Sequence, residues 1–576
     1  MVKGLRSRTT FITYIFTIIL VTGCFFYFWY VVPYHIGFKE QMQIFVFSSS
    51  YILSYFSKPA VLACLGGDFL TQFLYFKAGG AAIVTLLLAT EWWLTFLTLK
   101  RFSFKSQPTT FSEETLCVVA FLPVIIEWIS IPNHLFSLDL SISFIIALST
   151  FLIYAKTSGK VSIITGILLI PTLYMIAGAS VFLFFILVIL YDIYGGRSRY
   201  IYWAVFSGVA ISLPLLIRYL YLLTPSQAYL YPFSTIMQEL SLVTAAIVVL
   251  LFVCFRNVKL KIPQPIITLI VLISLLITGL VKTMDKNQEN LFGIFIEAYH
   301  KNWDLVLSIA QKTEYNPIAT SYTNIALSQQ SLLGDQLMDF YKPYTNGVKR
   351  LSSIYNVIEM IASNDVFFHI GDMDMAHRAA KVSMIFTPRK RSARLIERLV
   401  EINLSINDIP TANKYIRMLE STLFHKIKTE NGNPSVQRRE SVIYRENILR
   451  KENNISESLV LLVESNTANL PAVNFLLCSY LINRNIFSFF EAYTSYYKEK
   501  TNRVPKVYAE ALMIYFTETG TMDKATEYGI PPEITQSFNE YNQLYEQSLE
   551  NLTFMLQKYP DSYWPYYQST ARRRAN

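Results

Sequence analysis

The strongest constraint in this sequence is a succession of apolar stretches that ends at residue 282. A helix needs about 20 predominantly apolar residues to cross the hydrocarbon core of a bilayer. Nine stretches meet or approach that length: 10–32, 80–99, 114–131, 138–155, 161–174, 177–195, 200–222, 240–255 and 266–282. A single soluble domain does not string such segments together. The expected fold is therefore all-α, with a polytopic membrane helix bundle of about nine spans over 1–282. A second, more polar helical domain is expected over 287–576. The stretch 161–195 would be about 52 Å long as one helix. Pro171 and Gly178 stand in its middle, so it is read as two short spans.

Charge separates the two regions. The chain holds 50 Lys/Arg and 41 Asp/Glu, a net charge of +9. Residues 1–282 hold 18 basic and 9 acidic side chains, and 283–576 hold 32 of each. The excess belongs to the first region alone, which argues against a nucleic-acid surface on the second. With nine spans, thirteen Lys/Arg fall on one side, among them Lys3, Arg6, Arg8, Lys100, Arg101, Lys156, Lys160, Arg197, Arg199 and Arg256. Five fall on the other: Lys39, Lys58, Lys77, Arg218 and Lys282. The basic side is expected to be cytoplasmic. That places the N-terminus inside and the second region outside, in the periplasm if the membrane is a bacterial inner membrane. The first span is too long for a signal peptide and reads as an uncleaved anchor. Five cysteines without close pairs give no disulfide framework and no zinc motif.

Residues 33–79 form the longest segment outside the spans in the first region. FKEQMQIFVFSSSYILSYFSKP and AVLACLGGDFLTQFLYFKAGG carry apolar residues at helical spacing with a thin polar face. Both are expected to be helices lying at the outer interface. Glu40, Gln41, Gln43, Asp68 and Gln72 lie within them. A carboxylate at this depth is costly unless solvated or paired, so Glu40 and Asp68 are functional candidates. The plainer reading is that each caps a helix N-terminus. Glu127, at the outer end of its span, and His134 and Asp139 in the following turn reach the same side, as does Arg218. Arg218 meets a carboxylate or lipid phosphate, or else snorkels to the headgroups. Glu91 sits deeper in its span, facing either the bundle or a cavity.

This layout, a long first outer loop of interfacial helices with an early acidic residue at Glu40 and a later one at Asp68, resembles the GT-C class of integral-membrane glycosyltransferases. The resemblance is architectural and covers about the first 220 residues. It implies a polyprenyl-phosphate sugar donor drawn from the membrane. Glu40 would be the base and Asp68 a second catalytic carboxylate, with Arg218, Glu127, Asp139, Gln41 and His134 around the substrates. The class uses its loop carboxylate as a base or as a metal ligand, so the resemblance names no cofactor but admits a divalent metal. In chemical terms, a carboxylate deprotonates an acceptor hydroxyl and a cation holds the leaving phosphate.

From 287 on the pattern is helical, with a recurring turn at Gly334, Gly371, Asn407, Asn485 and Gly520, in steps of 37, 36, 78 and 35 residues. The long step contains a polar insertion near 426–456. The spacing of Ala376 and Pro388 resembles the tetratricopeptide class of helix pairs. Such arrays stack into a solenoid whose concave face binds a protein partner. The aromatic tail YPDSYWPYYQ either caps the array or touches a membrane. The whole chain resembles a family of bacterial membrane proteins that brings no established activity, through the EQxQ segment at Glu40–Gln43, the stretch from Gly67 to Phe73, and the HIG and RLVEINL segments. Two functions follow: a transferase using a lipid-linked sugar, or a membrane-anchored scaffold for envelope proteins, the latter favoured by FKEQ where the transferase class has an acidic pair. A transporter is disfavoured, since no inverted repeat is present.

Overall fold

The computed structural model describes residues 17–103, 113–133, 136–196, 199–233, 236–254, 265–314, 316–340, 357–387, 389–427, 429–430, 433–434, 455–501, 503–548 and 550–575. It is all-α apart from a two-residue strand pair, Thr429–Glu430 with Asn433–Pro434. Most of the expected polar insertion near 426–456 lies outside the described residues. The chain divides into two compact units, Met1–Asp285 with Ser421–Lys426, and Lys286–Glu420 with Ile427–Asn576. The segment Ser421–Lys426 thus belongs to the first unit, although its sequence position suggests the second.

The first unit begins with α1 (Thr17–Val31). There follow α2 (Pro33–Gln41), α3 (Ser49–Ser54), α4 (Val61–Thr71), α5 (Lys77–Ser103), α6 (Glu113–Val119), α7 (Phe121–Ser130) and α8 (Asp139–Tyr154). The unit continues with α9 (Gly159–Ala177), α10 (Val181–Tyr194), α11 (Tyr200–Tyr221), α12 (Pro225–Leu230), α13 (Ile236–Cys254) and α14 (Pro265–Thr283). Its core is apolar and aromatic, with Phe28, Phe102, Phe144, Phe151, Tyr174 and Phe184 out of contact with solvent.

Among the described residues, three helical runs are long and apolar enough to cross a membrane: Lys77–Ser103, Gly159–Tyr194 and Tyr200–Tyr221. The number rises to five if Thr17–Val31 with Pro33–Gln41, and Ile267–Thr283 with Lys286–Tyr299, each count as one span. The expectation of about nine is corrected because apolar length in sequence is not helix length. The stretch 114–131 breaks at Ala120 into helices of 7 and 10 residues. Pro123 has no N–H to give the Val119 carbonyl, which ends α6 there. The stretch 138–155 yields 16 residues, about 24 Å of helix and short of a bilayer core.

The run Gly159–Tyr194 folds back on itself. Gly178 has φ +66°, a left-handed conformation that ends α9. The halves then lie side by side. Tyr154 touches both Gly166 on α9, where an added Cβ would lie 3.3 Å from its ring, and Phe184 on α10, with ring centroids 6.0 Å apart. This hairpin sorts the loops into two ends. At one, Arg101 donates to the Ala155 carbonyl (2.8 Å), Tyr191 to the same carbonyl (3.2 Å), and Arg199 to Ser162 (2.9 Å) and Gly159 (3.3 Å). At the other, the Ala60 N–H meets the Tyr174 carbonyl (3.4 Å) and the Ala179 N–H the Tyr231 carbonyl (2.8 Å).

The expected pair of interfacial helices is only partly formed. Residues 43–47 are not helical, and they separate α2 from the six-residue α3. Backbone outside a helix must find its hydrogen bonds elsewhere. Here the Phe47 N–H donates to the Ser421 carbonyl at 2.7 Å. The second expected helix forms as α4 and a following 3₁₀ turn, Gln72–Tyr75.

The second unit contains α15 (Lys286–Tyr299), α16 (Trp303–Ala310), α17 (Pro317–Gln329), α18 (Leu333–Phe340), α19 (Val357–His369), α20 (Met373–Phe386), α21 (Ala393–Ser405) and α22 (Ile409–Glu420). After these come α23 (Ile455–Ser465), α24 (Leu470–Ile482), α25 (Ile486–Tyr496), α26 (Lys506–Thr519), α27 (Pro532–Gln547), α28 (Leu552–Lys558) and α29 (Tyr563–Ala575). Neighbouring helices pack on one another in the manner of helical repeats. One junction recurs. Lys301, Ser331, Gly371, Asn407, Arg484 and Gly520 all have positive φ. In each case the next residue's N–H closes onto a carbonyl five residues back, as from Asp372 to Phe367 (2.8 Å) and Asn485 to Tyr480 (2.9 Å). Asp372, Asp408 and Asn485 then cap the following helix through the N–H of Met375, Thr411 and Ser488. Two sequence markers therefore shift. The turn assigned to Gly334 is made at Ser331, and Asn485 is a cap beside the turn at Arg484. Gly334 lies inside α18, where an added Cβ would meet Pro505 at 2.8 Å.

The aromatic tail closes this unit. Tyr563, Trp564 and Tyr566 are buried. The Tyr563 hydroxyl donates to Leu481 (2.9 Å) and the Tyr566 hydroxyl to Ile482 (2.8 Å), while the Tyr563 N–H donates to the Glu510 carboxylate at 2.7 Å.

Candidate functional site

Glu40 and Asp68 lie 28 residues apart in sequence and line one small pocket of the first unit. Gln43, Ile44, Phe45, Thr71 and Gln72 share it, and Thr422, Phe424 and His425 arrive from Ser421–Lys426. Neither carboxylate caps a helix N-terminus. Glu40 is in the last turn of α2 and Asp68 near the end of α4. A carboxylate at a helix C-terminus opposes the helix dipole, by roughly 0.3–1 kcal/mol. Both side chains are also buried, at 5% and 2% exposure, so each requires a partner.

For Glu40 the partner is His425, whose Nε2 lies 2.5 Å from Glu40 Oε1. Aromatic contacts hold the histidine in place. Its ring meets Tyr75 edge-on at 5.4 Å, while Phe424 stacks on Tyr75 and packs against Phe73 and Phe76. The His425 N–H donates to Thr422 Oγ1 at 3.2 Å, fixing the turn. For Asp68 the partner is Tyr55, whose hydroxyl donates to Oδ2 at 2.5 Å. Tyr51 lies 2.8 Å from the Tyr55 oxygen and donates to the Ile44 carbonyl at 3.0 Å. Burial, then the negative charge of Asp68, raises the Tyr55 phenol well above its usual range, so it stays a donor. The pocket thus holds a hydrogen-bonded Glu40–His425 pair beside a carboxylate that accepts from a phenol.

The other sequence candidates lie elsewhere. Asp139, at the start of α8, presses on α4, where a Cβ at Gly67 would sit 2.0 Å from its Oδ1. Gln41 is buried at the end of α2 without lining the pocket. Glu127 is inside the bundle, accepting from Ser141. Arg218, half-buried on α11, donates to the Tyr219 hydroxyl at 2.8 Å and lies 4.6 Å over its ring, and it does not line the pocket. His134 is outside the described residues. Lys39 turns away from the pocket, donating to the carbonyls of Asn133 (2.8 Å) and Phe136 (2.7 Å). Among the described residues no group of three or more His, Cys, Asp or Glu is arranged to hold a metal, and none of the five cysteines is in a disulfide.

His425 is the pocket residue that sequence reasoning missed. It is 385 positions from Glu40. Its local signal is weak, an aromatic–histidine pair in STLFHK at the edge of a polar stretch.

Residues 7–570 match the model of DUF6057, a family of unknown function, and the chain belongs to that family. No curated protein and no solved structure matches it.

Proposed function

We propose that this chain is a membrane glycosyltransferase that moves a sugar from a polyprenyl-phosphate donor to an acceptor hydroxyl at the pocket of Glu40, Asp68 and His425. The observation that carries this reading is the meeting of two buried carboxylates with a histidine in one pocket, neither carboxylate serving as a helix cap. The dyad supplies the base. His425 takes the acceptor proton and Glu40 orients the ring and stabilises the imidazolium, the arrangement that makes a histidine an effective base. Asp68, held by Tyr55, hydrogen-bonds the acceptor or the sugar. As the acceptor oxygen bonds to the anomeric carbon of the sugar, the bond from that carbon to the donor phosphate breaks and polyprenyl phosphate leaves as the anion; Arg218, which does not line the pocket, takes no part in this step.

The sidedness of the reaction follows the charges. Lys100, Arg101, Lys156, Lys160 and Arg199 belong to the loops gathered at one end of the bundle, which we assign to the cytoplasm. The pocket and the second unit are then extracytoplasmic, and the repeat-like helices of that unit recruit the acceptor or a protein partner.

One observation favours a second reading. The pocket is tightly filled, with room for little more than a water molecule, far below the usual size of a small-molecule site. Glu40–His425 would then be a latch holding Ser421–Lys426 on the bundle of a non-catalytic scaffold.

Complementation separates the two. A deletion strain is restored with wild type, Glu40→Gln, Asp68→Asn or His425→Gln, each checked for expression, while surface glycans are profiled. The transferase reading expects wild type alone to restore a missing glycan. Full rescue by all three variants, with loss only when 287–576 is removed, would leave the scaffold.

A further inference from the structure

Glu91 on α5 and Glu127 on α7 are fully buried in the bundle, at 0% exposure. Their carboxyl groups face one another, and Ser141 on α8 and Ser241 on α13 turn toward the same point. Ser141 donates to Glu127 Oε1. The remaining oxygens are not used. Both of Glu91, Oε2 of Glu127 and the hydroxyl of Ser241 make no well-formed hydrogen bond. No Lys, Arg or His among the described residues pairs with either carboxyl. Asp139, the other acid on these elements, lies against Gly67 instead.

Two carboxyl groups cannot remain together, buried and unneutralised, inside a bundle of membrane-spanning length. Other buried carboxylates have such partners: His425 at Glu40, Tyr55 at Asp68, Arg199 at Asp192, and Arg394 and Arg398 at Asp365. At this site the chain offers oxygens alone. The positive charge must come from an ion.

We propose that Glu91 and Glu127, with the hydroxyls of Ser141 and Ser241, form an intramembrane cation site in which one carboxyl stays protonated and the charge of the other is matched by a second proton or by a sodium ion. Either occupancy leaves the pair neutral, two protons or one proton with one sodium ion, while the serines donate to the oxygens left over. The four helices that build the site would be held together by its occupant. The site is separate from the Glu40 pocket and does not depend on the transferase reading.

The test uses the purified full-length chain in detergent. Dicyclohexylcarbodiimide is an apolar reagent that adds to a protonated carboxyl and rearranges to a stable acylurea, which peptide mass spectrometry locates. In sodium-free buffer, labelling is expected at Glu91 or Glu127 and should be lost in the corresponding Glu91→Gln or Glu127→Gln variant. Suppression by NaCl but not by choline chloride identifies sodium as the occupant, and labelling indifferent to sodium identifies the proton. Thermal unfolding supplies the second readout. The midpoint of wild type should shift with sodium or with pH, and Glu91→Gln should flatten that response. Absence of labelling at both positions, with wild type and Glu91→Gln responding alike to sodium and pH, overturns the proposal.

Discussion

The two units bury charge in different ways. In the second, Asp365 is held by permanent cations. Arg394 donates to its Oδ2 at 2.6 Å, Arg398 to its Oδ1 at 2.9 Å, and Tyr322 to Oδ2 at 2.7 Å. Arg394 also donates to the Phe295 carbonyl at 2.7 Å and lies 3.7 Å over that ring, so one node ties α15, α17, α19 and α21. Burial pulls the Asp365 carboxyl upward, but Arg394 and Arg398 outweigh it and leave it below the usual range. In the first unit, Glu40 meets His425, Asp68 meets the Tyr55 hydroxyl, and Glu127 meets Ser141. Their neighbours are a histidine, a phenol and serines, groups that share or exchange protons. A permanent ion pair fixes a structure. A titratable pair leaves chemistry available, and this contrast is the physical reason to place function in the first unit.

The contrast can be broken at its strongest point. Asp365→Ala removes the carboxylate shared by the buried Arg394 and the half-buried Arg398 and should cost about 3–5 kcal/mol, read by denaturant unfolding of the full chain. Because the folded pKa of Asp365 is depressed, its stabilisation is present above its unfolded pKa and is lost as pH falls through the folded value. Acid unfolding of wild type should therefore have a component that Asp365→Asn removes. If Asp365→Ala proves nearly neutral, the node is no tie and the contrast fails.

Next in size is Gly67→Ala, which tests whether α4 is rigidly seated on α8. A methyl group there meets the Asp139 carboxylate and backbone, and overpacking of this kind costs about 1–3 kcal/mol. The measurement is the thermal midpoint in detergent, together with rescue of function.

Glu510 sharpens the comparison from the other side, as a titratable carboxyl within the second unit. Burial, only partly offset by the Tyr563 N–H, pushes it up to about 7. Its folded pKa exceeds its unfolded one, so the associated stability is complete below the unfolded pKa near 4.5 and falls as pH rises through about 7. Glu510→Gln should flatten that fall in denaturation curves collected across the window. An unchanged slope would mean that the Tyr563–Trp564 cap does not depend on this carboxyl. The smallest effect is expected at Arg218→Ala, within about 0.5 kcal/mol, because its described contacts are to Tyr219 on its own helix.

The parts of this account legible in the sequence are those that depend on local pattern. Helical periodicity marks the helices of both units, and the polar thinness of 33–79 marks Glu40 and Asp68. Turn positions could be read to within a few residues, but Gly334 and Asn485 drew attention from Ser331 and Arg484, non-glycine residues in a left-handed conformation. Span counting failed where Pro123 cuts an apolar run. The end of α2 was misjudged because the aromatic and β-branched residues of 43–47 leave the helix and pair with Ser421. His425 was invisible for a similar reason. Its contact with Glu40 depends on a tertiary return of the chain, and nothing in the local sequence around either residue encodes the other.

The central claim, that Glu40–His425 is a working dyad and not a tie, is tested most directly on one variant. Glu40→Gln keeps the size and a hydrogen-bonding oxygen of the side chain while removing its charge. Thermal unfolding and glycan rescue should be measured on the same Glu40→Gln protein. The expected result is a midpoint close to wild type with rescue abolished. Rescue equal to wild type, or a loss of rescue that tracks a large drop in the midpoint, would contradict the account.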